Sequence, residues 1–213
     1  MATPTDSKMN LDELRLLRLL QLKGRVLDAD LPASAGLPQS RCAELIDQFI
    51  AAGLVEETRG RLKVTAQGRD HLASQLAAER EAIDAERIAE LYREFGPFNA
   101  ELKSLMTRWQ LKNPDTPNDH SDAAYDQAII NDLVAFDARF RDLLACIVDA
   151  APRLGHYPAR FSDALSRVSA GDHSWFAKPL ADSYHTVWFE LHEDLIGLAG
   201  LSRAEEAMAG RAE

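Results

Sequence analysis

The sequence predicts a mainly α protein, and three observations carry that prediction. Apolar residues recur at helical spacings of three and four over most of the chain. Strand-like alternation is confined to one short stretch that ends at Thr65. Aromatic residues make up only 7% while Ala, Leu, Arg and Asp recur. With 213 residues, 46% of them hydrophobic and 27% charged, the chain has a globular balance and room for one large or two small domains.

Taken in order, residues 1–9 are too polar to fold and are expected to be disordered. Asn10 or Asp12 then caps a helix over LDELRLLRLLQLKG, with Leu11, Leu14, Leu17 and either Leu16 or Leu20 on its inner side and Gly24 as the stop. A short second helix is expected from Asp28 to Ala35, with Pro32 near its start or breaking it, and Gly36-Leu37-Pro38 forms a turn. Gln39 and Ser40 open a third helix with an apolar stripe of Cys42, Leu45, Ile46, Phe49 and Ile50, and Gly53 ends it. Two strands, Leu54–Thr58 and Arg61–Thr65, flank Arg59-Gly60 as a hairpin.

Thr65 caps a long helix expected to run to about Phe95, where Gly96-Pro97 breaks or kinks it. Glu79, Arg80, Glu81, Asp84, Glu86, Arg87 and Glu90 give it a solvated face laced by i,i+4 pairs, or else a dimerisation or linker face. Beyond it the pattern stays helical: Phe98–Lys112, then a polar loop over Asn113–Asp122, then Ala123–Ala151 ended by Pro152, Pro158–Ala170, and Trp175–Leu198 with Pro179 in its first turns. No strand is expected after Thr65. The predicted organisation is therefore a domain over residues 10–75, a connecting helix over 76–97 and an all-helical domain over 98–213.

The first of these domains has the layout of a winged helix-turn-helix with a small β-wing. Such a module sets its second helix in the major groove with its first residues at the base edges. Those residues here are Gln39, Ser40, Arg41 and, one turn on, Glu44; Gln pairs with adenine and Arg with guanine. Arg59, Arg61 and Lys63 on the wing would meet phosphates, with Arg15, Arg18, Lys23 and Arg25 adding charge and Asp47, Glu56 and Glu57 opposing it. Residues 1–75 hold ten Lys/Arg and ten Asp/Glu, whereas residues 76–213 hold 14 against 24 and carry the whole net charge of -10. Only the first part is thus a plausible nucleic-acid face. The other use of such a module is protein contact or dimerisation.

Residues 10–75, through AGLVEETRGRLKVTAQG and the helix before it, resemble the multiple-antibiotic-resistance and phenolic-acid regulator families. The resemblance implies transcription regulation. Segments of the second part resemble the helical effector domain of gluconate-repressor-type regulators, where an Asp-x-x-x-His helix and later histidines hold a metal. FDARFRDLL supplies Asp137 but has Arg141 where the histidine would stand, and SAGDHSWFAKPLADSYH ends at His185. LDELRLLRLLQLKGRV is also similar to winged-helix tails attached to phosphoenolpyruvate-utilising phosphotransfer enzymes.

The densest chemistry is DSYHTVWFELHEDL, Asp182–Leu195. His185 and His192 lie two turns apart on one helix face, with Tyr184 beside them and Asp182, Trp188 and Phe189 on roughly the same face, while Glu190, Glu193 and Asp194 are expected to point elsewhere. Aromatic walls with polar tips suit a small-molecule pocket. At 1.5 Å of rise per residue the two histidines stand about 10 Å apart and cannot share a metal unaided. Trp109 and the loop residues Asn118, Asp119 and His120 are expected to fold over this helix and close the pocket. Alternatively Asn118 and Asp119 cap turns, His120 faces water, the histidines are hydrogen-bonded interface residues, and the tryptophans are core.

No Gly-x-Ser-x-Gly elbow, phosphate loop or dinucleotide fingerprint is present, HTVWFELHE is not HExxH, and two cysteines cannot build a zinc knuckle. No catalytic residue, metal or cofactor is therefore assigned, and Cys42 and Cys146 are expected to be buried free thiols. The chain has no run of ~18 apolar residues and its polar N-terminus has no signal-peptide core, so a cytoplasmic protein without membrane contact is expected. The expectation for function is a ligand-responsive, dimeric bacterial DNA-binding transcriptional regulator. Its partners would be operator DNA and a small effector. The alternative is an accessory subunit that docks to a partner enzyme.

Overall fold

The computed structural model describes residues 10–113 and 115–208; the disorder expected of residues 1–9 lies outside them. Helix makes up 73% of the described residues and strand 8%, in keeping with a mainly α protein. The chain divides into two units, one running through Ile83 and joined by Ala151–His156, the other comprising Asp84–Ala150 and Tyr157 onward.

In the first unit, α1 (Leu11–Lys23) starts at Asn10, whose side chain accepts from the Asp12 and Glu13 amides and donates to the Glu13 carboxylate at 2.7 Å, a reciprocal cap. Leu14, Leu16, Leu17, Leu19 and Leu20 are all buried, so α1 is the central helix of this unit. Strand β1 (Val26–Leu27), a 3-10 turn over Asp28–Asp30 and α2 (Leu31–Ala35) follow; the single helix expected over Asp28–Ala35 is thus a turn and a five-residue helix. In α3 (Gln39–Ala51) the apolar stripe Cys42, Leu45, Ile46 and Phe49 is buried, but Ile50 is exposed.

Strands β2 (Val55–Thr58) and β3 (Arg61–Val64) pair antiparallel, and β3 also takes β1 on its other side with Val26 opposite Leu62. Leu62 and Val64 point into the core while Arg61 and Lys63 face water, as period-two alternation requires. The next helix, α4 (Ala66–Ala82), is capped by Thr65, whose hydroxyl accepts from the Gly68 amide at 3.0 Å. Gly68 is a true close approach: a Cβ there would sit 2.0 Å from the Leu54 carbonyl oxygen.

The segment Ala151–His156 completes this unit. The Arg153 guanidinium is sealed in, its Nε 2.9 Å from both carboxylate oxygens of Glu79, while its carbonyl accepts from Arg15 Nε at 3.0 Å. Glu79, expected on a solvated face, is only 2% exposed, because its partner comes from a stretch 74 residues further along the chain.

The second unit begins with α5 (Ala85–Gln110), capped by the Asp84 side chain. The long helix expected from Thr65 to Phe95 is therefore two helices that break at Ile83–Asp84, and α5 runs straight through Gly96-Pro97. Burial of Phe95, Asn99 and Leu102 outweighs the one hydrogen bond that Pro97 cannot donate. Strands β4 (Leu111–Asn113) and β5 (Thr116–Pro117) form a short antiparallel pair where a helix through Lys112 and then a loop, with no strand, were expected. They lead into α6 (Ala123–Ala150), α7 (Tyr157–Ser169), a 3-10 turn over His173–Phe176, α8 (Tyr184–Leu198) and α9 (Arg203–Met208).

Trp175 thus lies in the turn rather than at the head of α8, and Pro179 precedes α8, which Ser183 caps. Helices α5, α6, α7 and α8 pack around an aromatic core in which Trp188 touches Phe95, Phe136, Phe140 and Phe161. Cys42 is buried as expected, but Cys146 is exposed: it falls on the outer face of α6, one residue before buried Ile147. Among the described residues no helix is long and apolar enough to cross a membrane.

Candidate functional site

Two surfaces carry the chemistry, one in each unit. In the first, Gln39 and Ser40 stand exposed in the opening turn of α3, and Glu44 follows one turn on. Arg41 is engaged: its Nη1 lies 3.3 Å from Glu44 and its Nε 3.6 Å from Asp12. Thr58 pairs with Arg61, so Arg59 and Gly60 form a two-residue turn with φ of 54° and 72°, the left-handed pair that a tight hairpin of this twist demands. Lys63 lies across the strands from Glu56 at 3.9 Å. Arg59 and Arg61 are exposed and have no carboxylate partner among the described residues. Pairing Arg41 and Lys63 with acids leaves these two as the hairpin's uncompensated cations.

The second unit holds a cavity of about 560 Å³ between α5 and α8, inside the usual range for a small-molecule site. Tyr92, Gly96, Asn99 and Lys103 of α5, His192 of α8, and Leu201 beyond it form its wall. The α5 contributions are spaced i, i+4, i+7 and i+11, one helical face. Gly96 supplies no side chain, which keeps that face open.

Tyr92 donates to the Glu206 carboxylate at 2.6 Å, and its oxygen lies 3.2 Å from His192 Nε2. With the phenol proton directed to Glu206, Nε2 must carry the hydrogen of a neutral imidazole. Burial and the nearby Lys103 ammonium lower the His192 pKa to about 4, Glu206 pulling it up and Arg203 down. The ring also rests 5.2 Å from Phe95. Behind it, Trp188 Nε1 donates to Asn99 Oδ1 at 3.0 Å, anchoring the cavity's polar wall to the aromatic core.

Of the other residues expected to form a pocket, Tyr184 is fully buried and donates to Asp137 at 3.1 Å. That environment raises its pKa, burial being the main cause and the Asp137 carboxylate the second. His185 is half-buried one turn before Trp188 and is absent from the cavity wall. Phe189 is exposed, so it does not share the face of His192.

Glu190 and Asp194, expected to point away, are both 2% exposed. Glu190 accepts from Arg160 at 2.6 Å and Asp194 from the Tyr157 hydroxyl at 2.7 Å. Arg160 also clamps Asp182 through two bonds of 3.0 Å. Glu193 is half-buried and pairs with Arg203.

The loop residues build a cluster of their own rather than a cover for α8. Asn118 donates to the Trp109 carbonyl and to Asp126, and His120 Nδ1 lies 3.0 Å from the other Asp126 oxygen. Trp109 is sandwiched by Phe176 at 4.3 Å and His120 at 4.5 Å. Asp119 caps Ser121, whose hydroxyl and amide lower its pKa. Thus His192 alone of the expected pocket residues lines the cavity, with Trp188 supporting it through Asn99. Tyr92, Asn99 and Lys103 escaped sequence reasoning; their signal was the helical spacing across Gly96-Pro97, hidden by treating that pair as a break.

Among the described residues no group of three His, Cys, Asp or Glu side chains is placed to hold a metal ion. The two oxygens of Asp137 accept instead from Tyr184 and, at 2.7 Å, from Arg141. Comparison with known protein families, with curated proteins and with solved structures gives no match.

Proposed function

We propose that the chain is a ligand-responsive DNA-binding transcriptional regulator, its first unit a winged helix-turn-helix and its second an effector domain. The observation that carries this reading is the exposed opening turn of α3, with Gln39 and Ser40, in the same unit as a hairpin tip whose Arg59 and Arg61 lack carboxylate partners among the described residues. On this reading Gln39 and Arg41 meet base edges, while Arg59, Arg61 and Lys63 hold phosphates. Arg41 must leave Asp12 and Glu44 to do so, and exposed pairs of that kind cost only about 0–1 kcal/mol to break. A homodimer would present two such helices to a two-fold operator. The cavity holds the effector, which alters DNA affinity by favouring one of two conformations.

The test is binding of the full chain to its own promoter DNA across a salt series. Replacing Arg59 and Arg61 by Ala should weaken binding at every sequence and flatten the slope of log K on log salt by about one per lost phosphate contact. No binding of the wild-type chain at low salt overturns the reading. It would favour a second one, supported by the pairing of Arg41 with Asp12 and Glu44 and of Lys63 with Glu56. In that case the same face docks a partner protein, such as a phosphotransfer enzyme, and the chain is an accessory subunit.

A further inference from the structure

We propose that the cavity beside α5 binds a monocarboxylate with an apolar body, and that the Glu206 carboxylate is the built-in competitor which such a ligand displaces from Tyr92. The inference rests on the reading of this cavity as an effector site and adds the chemical class of the effector.

Charge makes the first argument. Residues 76–213 carry 24 Asp/Glu against 14 Lys/Arg, yet the cavity wall includes Arg93 and Lys103 and no Asp or Glu. The carboxylate seen beside them is that of Glu206, bonded to the wall residue Tyr92, so an anion fits this wall in its place. Beside the polar groups of Tyr92, Asn99 and His192, the wall residues Ala89, Phe95, Ala100, Ala199 and Leu201 are apolar and suit a hydrocarbon body.

Glu206 makes the second. Its carboxylate is 0% exposed and accepts the Tyr92 hydroxyl at 2.6 Å, while Tyr92 in turn meets His192. The structure thereby displays a carboxylate already seated at this corner, on donors that do not depend on Glu206 being part of the chain. Its carrier α9 has six residues, too short to be stable alone, and hangs on Gly200, whose φ is 69°. Exchanging one carboxylate for another at Tyr92 keeps the hydrogen bond. It lets the ligand's apolar body fill space that Glu206 leaves empty.

The experiment titrates the full-length chain with octanoate, and with 1-octanol as the neutral probe of like length, by calorimetry and by thermal shift. Octanoate should bind and raise Tm with concentration, and octanol should bind at least about tenfold more weakly. Glu206→Ala should tighten octanoate about tenfold or more by removing the competitor, since apparent affinity scales with the fraction of open site. Glu206→Gln should tighten it less, and serves if the alanine variant fails to fold. Lys103→Ala and Tyr92→Phe should each weaken it.

Equal binding of the two probes, no binding of octanoate in the millimolar range, or an unchanged or weaker affinity in both Glu206 variants overturns the proposal. The titration contains no DNA. Carboxylate binding without promoter binding would therefore defeat the regulator reading and leave this inference standing, and the reverse pattern would do the opposite.

Discussion

Removing the Glu79 carboxylate should cost the first unit about as much stability as any single change in the chain. The Arg153 and Glu79 side chains are only 1% and 3% exposed, so neither charge has water to fall back on. In Glu79→Leu the guanidinium stays buried without its anion, a change that typically costs about 3–5 kcal/mol. Arg15 makes matters worse: burial lowers its pKa, and the Arg153 charge lowers it further against the pull of Asp12. Loss of Glu79 therefore leaves the Arg153 charge beside Arg15 without the carboxylate that balances it.

The double variant Glu79→Leu/Arg153→Met removes both charges and restores an apolar contact of similar volume, so it should recover most of the loss and end within about 1 kcal/mol of wild type or above it. The cycle is clean because Arg15 and His156 bond to the Arg153 carbonyl, which survives the substitution and keeps the segment docked. Urea denaturation followed by far-UV circular dichroism measures it, since Trp109, Trp175 and Trp188 all lie in the other unit and their fluorescence reports on that one. A double variant destabilised by the sum of the two single changes, or a Glu79→Leu loss below about 1 kcal/mol, would show that the pair is solvated and the reasoning mistaken.

Gly68→Ala should destabilise the same unit by about 2 kcal/mol or more in the same assay, although Ala is the better helix former by about 1 kcal/mol. The new Cβ would meet the Leu54 carbonyl oxygen at 2.0 Å and Val64 Cγ1 at 2.8 Å. That oxygen is held by the Thr65 amide at 2.9 Å, so it cannot retreat; a variant as stable as wild type would disprove the close approach. In the second unit, His192 has a folded pKa of about 4 against 6.5 for the free side chain, so between those values the unfolded chain binds the proton that the folded one refuses. Stability is full above pH 6.5 and falls as pH drops towards 4, by about 2 kcal/mol once partial solvent screening is allowed for. His192→Leu should flatten the urea midpoint over that window relative to wild type, and parallel pH profiles for the two proteins would count against the buried neutral imidazole.

What the sequence disclosed was what neighbours along the chain decide. Asn10, Thr65 and Ser183 cap their helices within three residues, and the stripes of α3, α6 and α7 repeat within a few turns. The Arg59-Gly60 turn is likewise local. The break at Ile83–Asp84 had a local signal too, in the Asp84 cap, but it was masked by a run of charges that fits a continuous helix equally well. The two-residue strand β1 exists only because Leu62 lies opposite Val26. The buried charges were illegible for the same reason: Glu190 and Glu79 are made tolerable by arginines 30 and 74 residues away in sequence. A carboxylate reads as a surface residue until its partner is known. The candidate site shows both cases, since Asn118 and His120 close on nearby Asp126, whereas the cavity depends on α5 continuing past a proline and meeting α8.

The fate of Asp137 ties these strands together. An aspartate followed four residues later by histidine on an inward-facing helix is suited to holding a metal, and here Arg141 takes the second place. Asp137 sits 2% exposed, bonded to Tyr184, whose ring packs on Phe136 and Phe161, where an unpaired carboxylate would be costly. The Arg141 guanidinium, one turn on, delivers its positive charge to one oxygen at 2.7 Å while Tyr184 donates to the other. The cation that the site's electrostatics require is thus covalently part of α6, and both oxygens already have donors. A small molecule has nothing left to bind at Asp137, whereas at Tyr92 and His192 the wall opens onto some 560 Å³ of space. On the proposed reading, an effector is therefore sought on the α5 side of α8. Substitutions at Arg141 should act through folding of the second unit, and those at Lys103 through binding.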